Sequence, residues 1–241
     1  GANEHVYGIE KEGMEKADAV IAVSSYTKQK IIEHYGIPEP KIKVVHNAID
    51  RDDIPKVYVE KNPGQKTVLY LGRITLQKGP DYFIEAAKKA LESDPDIRFI
   101  VAGSGDMEPA VIEKVAGLGI GHKVLFAGYL KDDDVHRAYR MADLYVMPSV
   151  SEPFGITPLE AVMNNTPVII SKQSGVKEVL KHSLQVDFWD IDQMANKMVA
   201  ALRYREMHSE LRQNSYEEVS RLSWSRSAQK CIDVYNSVLG V

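Results

Sequence analysis

The stretch "TVLYLGRITLQKGPDYFIEAAKKALESDPDIRFIVAG" (67–103) opens and closes on short runs rich in β-branched and aromatic residues. Between them Tyr82, Phe83, Ala86, Ala87, Ala90 and Leu91 recur at helical spacing, after a loop flanked by Gly72 and Gly79. Runs that are apolar at nearly every position fit strands buried on both faces, and a helix between two of them makes the pairing parallel. The pattern continues outward through "KVLFAG" (123–128), "DLYVMPS" (143–149), "PVIIS" (167–171) and "LQVDF" (184–188), with helical stretches between. It predicts an α/β protein with a doubly wound parallel sheet, whose ligands bind at the carboxyl ends of the strands.

The first 49 residues form a smaller unit. "ADAVIAVS" (17–24) and "KIKVVHN" (41–47) read as strands, and "SYTKQKIIEHYG" (25–36) as a helix stopped by Gly36. Two strands and about two helices are a thin basis for an independent core. Residues 1–49 are therefore expected to be the tail of a larger domain, and 50–66, polar and proline-bearing, a linker. The main domain is expected over 67–222, followed by a C-terminal helix over 223–241 with Ser223 as N-cap. Gly1 and Ala2 fit a cloning remnant.

Composition narrows the class. Hydrophobic content of 44% and charged content of 27% match a globular protein. No run approaches the roughly 20 apolar residues needed to span a bilayer, and no signal-peptide pattern is present. A net charge of −4 argues against general nucleic-acid binding, although a phosphate ligand needs only local positive charge. The lone cysteine, Cys231, has no internal partner, which fits a reducing, cytoplasmic setting.

Chemistry concentrates just after the strands. "LGRITLQKG" (71–79) carries Arg73 and Lys78 between two glycines, and both a diphosphate cradle and an ordinary charged strand-to-helix loop fit it. "VAGSGD" (101–106) starts like a dinucleotide fingerprint, but Glu108 occupies the third glycine position, which disfavours NAD. "FAGYLKDDD" (126–134) places Gly128, Tyr129 and Leu130 where a flat base would lie. Its Asp132 and Asp134 suit a helix's first turn better than a metal, and the same Asp-x-Asp spacing recurs at Asp50/Asp52 and Asp190/Asp192. The seven histidines show no paired metal spacing. "SEPFGITPLEA" (151–161) holds Glu152 and Glu160 eight positions apart. Thr157, Pro158 and Glu160 alone spell a capping box, whereas a helix start with free amides beside two acids also suits an anionic ligand bearing hydroxyls.

The order of "GRITLQKG", "VAGSGD", "AGYL", "SEPFGITPLEA" and "TPVIISKQSGVKEVL" resembles the nucleotide-sugar-binding, C-terminal Rossmann-like domain of retaining GT-B glycosyltransferases. More narrowly it is similar to the family-4 sugar transferases and the glycogen and starch synthases. The upstream "ADAVIAVSSYTKQKII" and "VVHNAID" resemble the end of that family's N-terminal domain and its linker. The resemblance implies that Arg73 and Lys78 neutralise the donor diphosphate and, with Glu152 on hydroxyls of the transferred sugar, form the catalytic set. Glu160 would hold the ribose and Tyr129 and Leu130 the base, with Gly72 and Gly105 nearby. The amides of Phe154, Gly155, Ile156 and Thr157 would contact sugar and phosphate. It implies a nucleoside diphosphate-sugar donor, a saccharide acceptor and no metal cofactor. Ala48 and Ser174-Gly175 depart from the family pattern, at the linker and beside the donor sugar. The family's acceptor-binding domain would precede residue 1, so this stretch alone is expected to bind nucleotide weakly and transfer nothing. The "HSLQVDFWDIDQMANKM" segment (182–198) resembles glycogen-synthase-like members, which favours glucose. The rivals are a nucleotide-sugar 2-epimerase of the same fold and a non-catalytic nucleotide-sensing module.

Overall fold

The computed structural model describes residues 4–61 and 64–240. Residues 1 and 2, part of the expected linker at 62–63 and the last residue of the expected C-terminal helix lie outside the described residues. The N-terminal unit runs α1 (Glu4–Lys16), β1 (Val20–Ala22), α2 (Ser25–Tyr35) and β2 (Ile42–Val44), with β1 and β2 pairing in parallel. Ser24 caps α2 by accepting from the Thr27 amide, and Gly36 ends it at φ 69°, a left-handed turn that glycine adopts without cost. Helix α1 was not marked by the sequence pattern. Gly8 and Gly13 weaken its propensity, and its support includes the ion pairing of Lys16 with Glu12, a Tyr7–Tyr35 stack at 4.9 Å and the packing of Met14 on the Ala22, Ile37 and Ile42 cluster.

From residue 66 the chain alternates as expected through β3 (Lys66–Leu71), α3 (Pro80–Ser93), β4 (Ile97–Ala102), α4 (Glu108–Gly117), β5 (Val124–Gly128), α5 (Asp133–Met141), β6 (Leu144–Met147), α6 (Thr157–Met163) and β7 (Val168–Ser171), but only a 3₁₀ turn at Gly175–Glu178 separates β7 from β8 (Leu184–Val186). Helices α7 (Ile191–Arg203), α8 (Arg205–Val219) and α9 (Trp224–Leu239) follow. The six strands are all parallel, in the order β5-β4-β3-β6-β7-β8. Alternate residues divide between the faces. Val68, Tyr70, Phe99, Val101, Leu144 and Val146 pack under α3, α4 and α7. Leu69, Ile100, Tyr145, Met147 and Ile170 pack under α5, α6 and α8. A strand buried on both sides has no polar face, and this is why these runs lack the apolar–polar alternation of a half-exposed sheet.

The polar segment before β3 lies against the main domain: Arg140 donates to the carbonyls of Pro55 (3.2 Å) and Val57 (2.9 Å). Helix α9 starts on its Ser223 cap and returns to the N-terminal unit, where Ser227 donates to the His46 carbonyl at 2.8 Å. Among the described residues no helix is long and apolar enough to cross a membrane.

Candidate active site

In the strand order, β3 stands next to β6, and the chain leaves them in opposite directions, toward β4 and toward β7. Connections that diverge at neighbouring strand ends leave a crevice, the place where open α/β sheets bind ligands. The two loops that border it are 72–79 and 148–156, the two stretches richest in candidate residues. They are stitched together. The Val150 amide donates to the Gln77 carbonyl at 2.9 Å, and the Gln77 side chain donates to the Ser151 carbonyl at 3.0 Å while accepting from Arg73 at 3.3 Å. Across the same seam Lys78 pairs with Glu152, whose residue is only 8% exposed, and Ser149 Oγ lies 3.5 Å from the same carboxylate oxygen. A charge pair this sheltered holds its partners in one geometry, because separating them leaves an uncompensated charge.

Two cavities open from this seam. One, of about 160 Å³, is lined by Leu71, Gly72, Arg73, Ala102, Gly103, Ser104, Tyr129, Leu130 and Val135. That volume is below the roughly 300–1,000 Å³ of a complete small-molecule site, so it suits one portion of a larger ligand. Tyr129 is 70% exposed at its mouth, with the Lys131 ammonium 5.9 Å from its ring. The other cavity, about 30 Å³, lies among Lys78, Tyr145, Met147, Pro148, Ser149 and Thr157. The two share Leu71 and Gly72, so a trough runs from the apolar slot past Gly72 to the Lys78 ammonium.

The capping box expected at Thr157–Glu160 is not formed. Ile156 stands at the N-cap, Thr157 is already helical, and no side chain caps the helix. Both side chains answer to buried tyrosines instead. Thr157 Oγ1 is 2.9 Å from the Tyr145 hydroxyl, which is also 3.1 Å from the Leu71 carbonyl, and Glu160 accepts from Tyr139 at 2.9 Å. The two rings meet edge to face at 5.5 Å. Burial pushes both hydroxyls above their ordinary pKa and the Glu160 charge adds to it, while the Thr157 bond offsets part of the rise at Tyr145. Both therefore stay protonated and serve as donors. Sequence reasoning missed this pair, since Tyr139 and Tyr145 sit in runs that read as core.

Arg73, Lys78, Gly72, Tyr129, Leu130 and Thr157 thus line the trough, and Glu152 joins it through Lys78. Gly155 lies beneath, against the Glu152 and Met147 side chains. Gly105, Phe154, Ile156 and Glu160 do not line either cavity. The side chains of Phe154 and Ile156, of which only the amides were expected at the ligand, pack in the core, one Glu160 oxygen accepts from Tyr139, and Gly105 abuts the Ile74 backbone. Gly103 and Ser104, quoted only within the glycine turn 101–106 and given no role, belong to the lining, as does Val135, which the sequence did not single out. Asp134 pairs with Arg137, and among the described residues no group of three His, Cys, Asp or Glu could hold a metal ion. A larger hollow, about 700 Å³, is a surface groove beside Trp189 whose Lys89 and Asp192 pair with each other, and it shares no lining residue with either cavity.

A doubly wound parallel sheet with a cationic trough at its switch point defines a Rossmann-like, ligand-binding domain. The family described as glycosyl transferases group 1 matches residues 50–218, and the chain belongs to that family. The glycosyltransferase family 4 pattern matches residues 3–53. The chain is 33% identical over 238 residues to the uncharacterized glycosyltransferase MJ1607 of Methanocaldococcus jannaschii, covering 90% of this chain and 59% of that one. It is 28% identical over 235 residues to mannosylfructose-phosphate synthase of Agrobacterium fabrum, covering 89% and 52%. It therefore spans about half to three-fifths of the length of these relatives. Among solved structures, Anabaena HepE in complex with UDP and glucose superposes with a TM-score of 0.83 at 18% identity, over 98% of this chain and 68% of that one, a likeness of fold.

Proposed function

We propose that this chain is the donor-binding part of a retaining glycosyltransferase that moves a hexose, glucose by preference, from a nucleoside diphosphate to a saccharide acceptor. The observation that carries it is the trough: an apolar slot sized for a base meets, at Gly72, a cationic end closed by an acid. The base lies between Tyr129, Leu130 and the glycine loops, and the diphosphate passes over Gly72 to Arg73 and Lys78. When the bond from the sugar to the diphosphate breaks, negative charge grows on the leaving group, and fixed cations there lower the barrier without reorganising. No divalent metal is needed for that task on this reading. Glu152, released from Lys78 as the phosphates arrive, accepts hydrogen bonds from sugar hydroxyls, and Glu160 serves the ribose. The acceptor is bound by residues beyond this stretch, so the 241 residues alone hold donor weakly and transfer nothing. HepE carries UDP and glucose, and a uridine donor is the first to test.

Calorimetric titration with UDP, ADP and GDP tests the reading. Saturable binding of one of them, weakened about tenfold or more by Arg73→Ala, is expected, since one charge-assisted contact is worth roughly that factor. Binding that ignores Arg73 would place the phosphates elsewhere. Tight binding together with no transfer by the longer protein would favour a sensing module, and an epimerised nucleotide sugar among the products would favour the 2-epimerase.

A further inference from the structure

Behind the trough, three segments distant in sequence meet on one side chain. The short 3₁₀ turn Gly175–Glu178 ends on Glu178, whose carboxylate reaches the start of α2. One oxygen accepts from the Ser25 amide and the other from the Tyr26 amide, each at 2.9 Å. His46 Nε2, just after β2, lies 2.8 Å from the first of these oxygens. Burial pushes the Glu178 carboxyl up, but the His46 bond and the two amides outweigh it and hold it below its ordinary value, so it is charged at neutral pH. A carboxylate across the first amides of a helix is also favoured by the helix dipole.

The same contact zone holds the backbone of Glu152. The Glu152 amide donates to the Gln173 carbonyl at 2.9 Å, and its carbonyl accepts from the Gly175 amide at 3.1 Å. The next carbonyl, of Pro153, accepts from Ser24 Oγ at 2.5 Å and Thr27 Oγ1 at 3.0 Å, both at the start of α2. The Val176 amide donates to the Phe154 carbonyl at 2.8 Å, and the Tyr26 hydroxyl is 3.3 Å from Ser151 Oγ. Ser24 and Ser174 are fully buried, and a methyl group on Gly175 would overlap Pro153 and Ser24. Glu152 is therefore framed by α2 on one side and by the Gln173–Glu178 loop on the other. Glu178 bonds the two frame elements directly to each other.

The structure assigns Glu178 a positioning role in recognising the transferred sugar: by tying α2 to the loop after β7, it fixes where the Glu152 carboxylate stands. This rests on the proposed function of Glu152. It separates two parts of donor affinity. The base and diphosphate contacts belong to loops after β3 and β5, which Glu178 does not touch, while the sugar contact belongs to the loop it frames.

The test is calorimetric titration of the chain with UDP and UDP-glucose, with the adenosine and guanosine pairs in parallel, for the unaltered chain, Glu178→Gln and Thr27→Val. Gln keeps the size but not the charge, and Val removes one of the two donors to Pro153. The ratio of the two dissociation constants is the readout, with a melting curve for each variant. We expect Glu178→Gln to reduce the advantage of the sugar-bearing ligand about tenfold, with the plain diphosphate unchanged within about twofold, and Thr27→Val to shift the ratio the same way by less. A merely structural role would lower the melting temperature and leave the ratio alone, which overturns the assignment. If Glu178→Gln does not fold, an unchanged ratio in Thr27→Val overturns it equally. Failure of the unaltered chain to bind any of these nucleotides would overturn the reading of the site itself, and this assignment with it.

Discussion

The loop after β3 and the loop after β4 look alike in sequence, "LGR" against "VAGSG", yet their glycines exist for opposite reasons. A methyl group on Gly72 would meet nothing within 4 Å, because the residue faces the trough. A methyl group on Gly103 would overlap the carbonyl of Gly72, and one on Gly105 the carbonyl of Ile74. The second loop is pressed onto the first. The Gly72 amide donates to Ala102 at 3.0 Å, Ile74 to Ser104 at 2.9 Å and Met107 to Ile74 at 3.0 Å. One glycine leaves room for a ligand, and the others let two backbones touch so that the first can stand where it does. A glycine motif thus carries no function until its neighbours are known.

Substitution by alanine separates the two cases most sharply at Gly103. Its φ of 133° is rarely adopted by residues with a side chain, and the added methyl would also strike main chain that cannot rotate away. Gly103→Ala is expected to cost roughly 3 kcal/mol or more, within the range of strained-backbone substitutions, and to lower the urea midpoint accordingly. An unchanged midpoint would mean that the two loops are not pressed together. Lys78→Ala should cost less, roughly 1–3 kcal/mol, because Glu152 loses its partner while keeping some access to water. Restoring the loss by the double change Lys78→Ala with Glu152→Gln would show that the penalty is the orphaned charge and not the lost side chain.

The same contrast explains what the sequence could and could not show. The four central strands, β3, β4, β6 and β7, were legible because burial on both faces makes them apolar at nearly every position, and the edge strands β5 and β8 by their short apolar runs. Their lateral order was not, because it depends on which strand lies beside β3 after the chain has crossed the sheet. The site inherits that division. Arg73, Lys78 and Glu152 stood out as charges after strands, but their meeting needed β3 and β6 to be neighbours. The capping box failed for a related reason: Thr157 and Glu160 have the right spacing for it, and Tyr145 and Tyr139, remote in sequence, claim both side chains first. Periodicity marks such tyrosines as core and is silent about their hydroxyls. Helix α1 escaped because none of its residues is fully buried: a stacked tyrosine pair, surface ion pairs and the single apolar contact of Met14 do not make an apolar stripe.

The smallest effect on stability, and the most telling, belongs to Gly72→Ala. The residue's backbone is not in the left-handed region and its surroundings are empty, so the alanine fits without strain. Loss of glycine's freedom in the unfolded chain would leave stability unchanged or raise it by about 0.4–1 kcal/mol. The methyl would, however, project where the slot and the cationic end join, in the path proposed for the diphosphate. Nucleoside diphosphate affinity should therefore fall roughly tenfold or more, about 1.4 kcal/mol, while the melting temperature holds. Calorimetry and a melting curve on one variant thus read the two quantities separately. A variant that melts normally and binds normally would show that the ligand does not pass Gly72, and that the open space beside it is an ordinary surface.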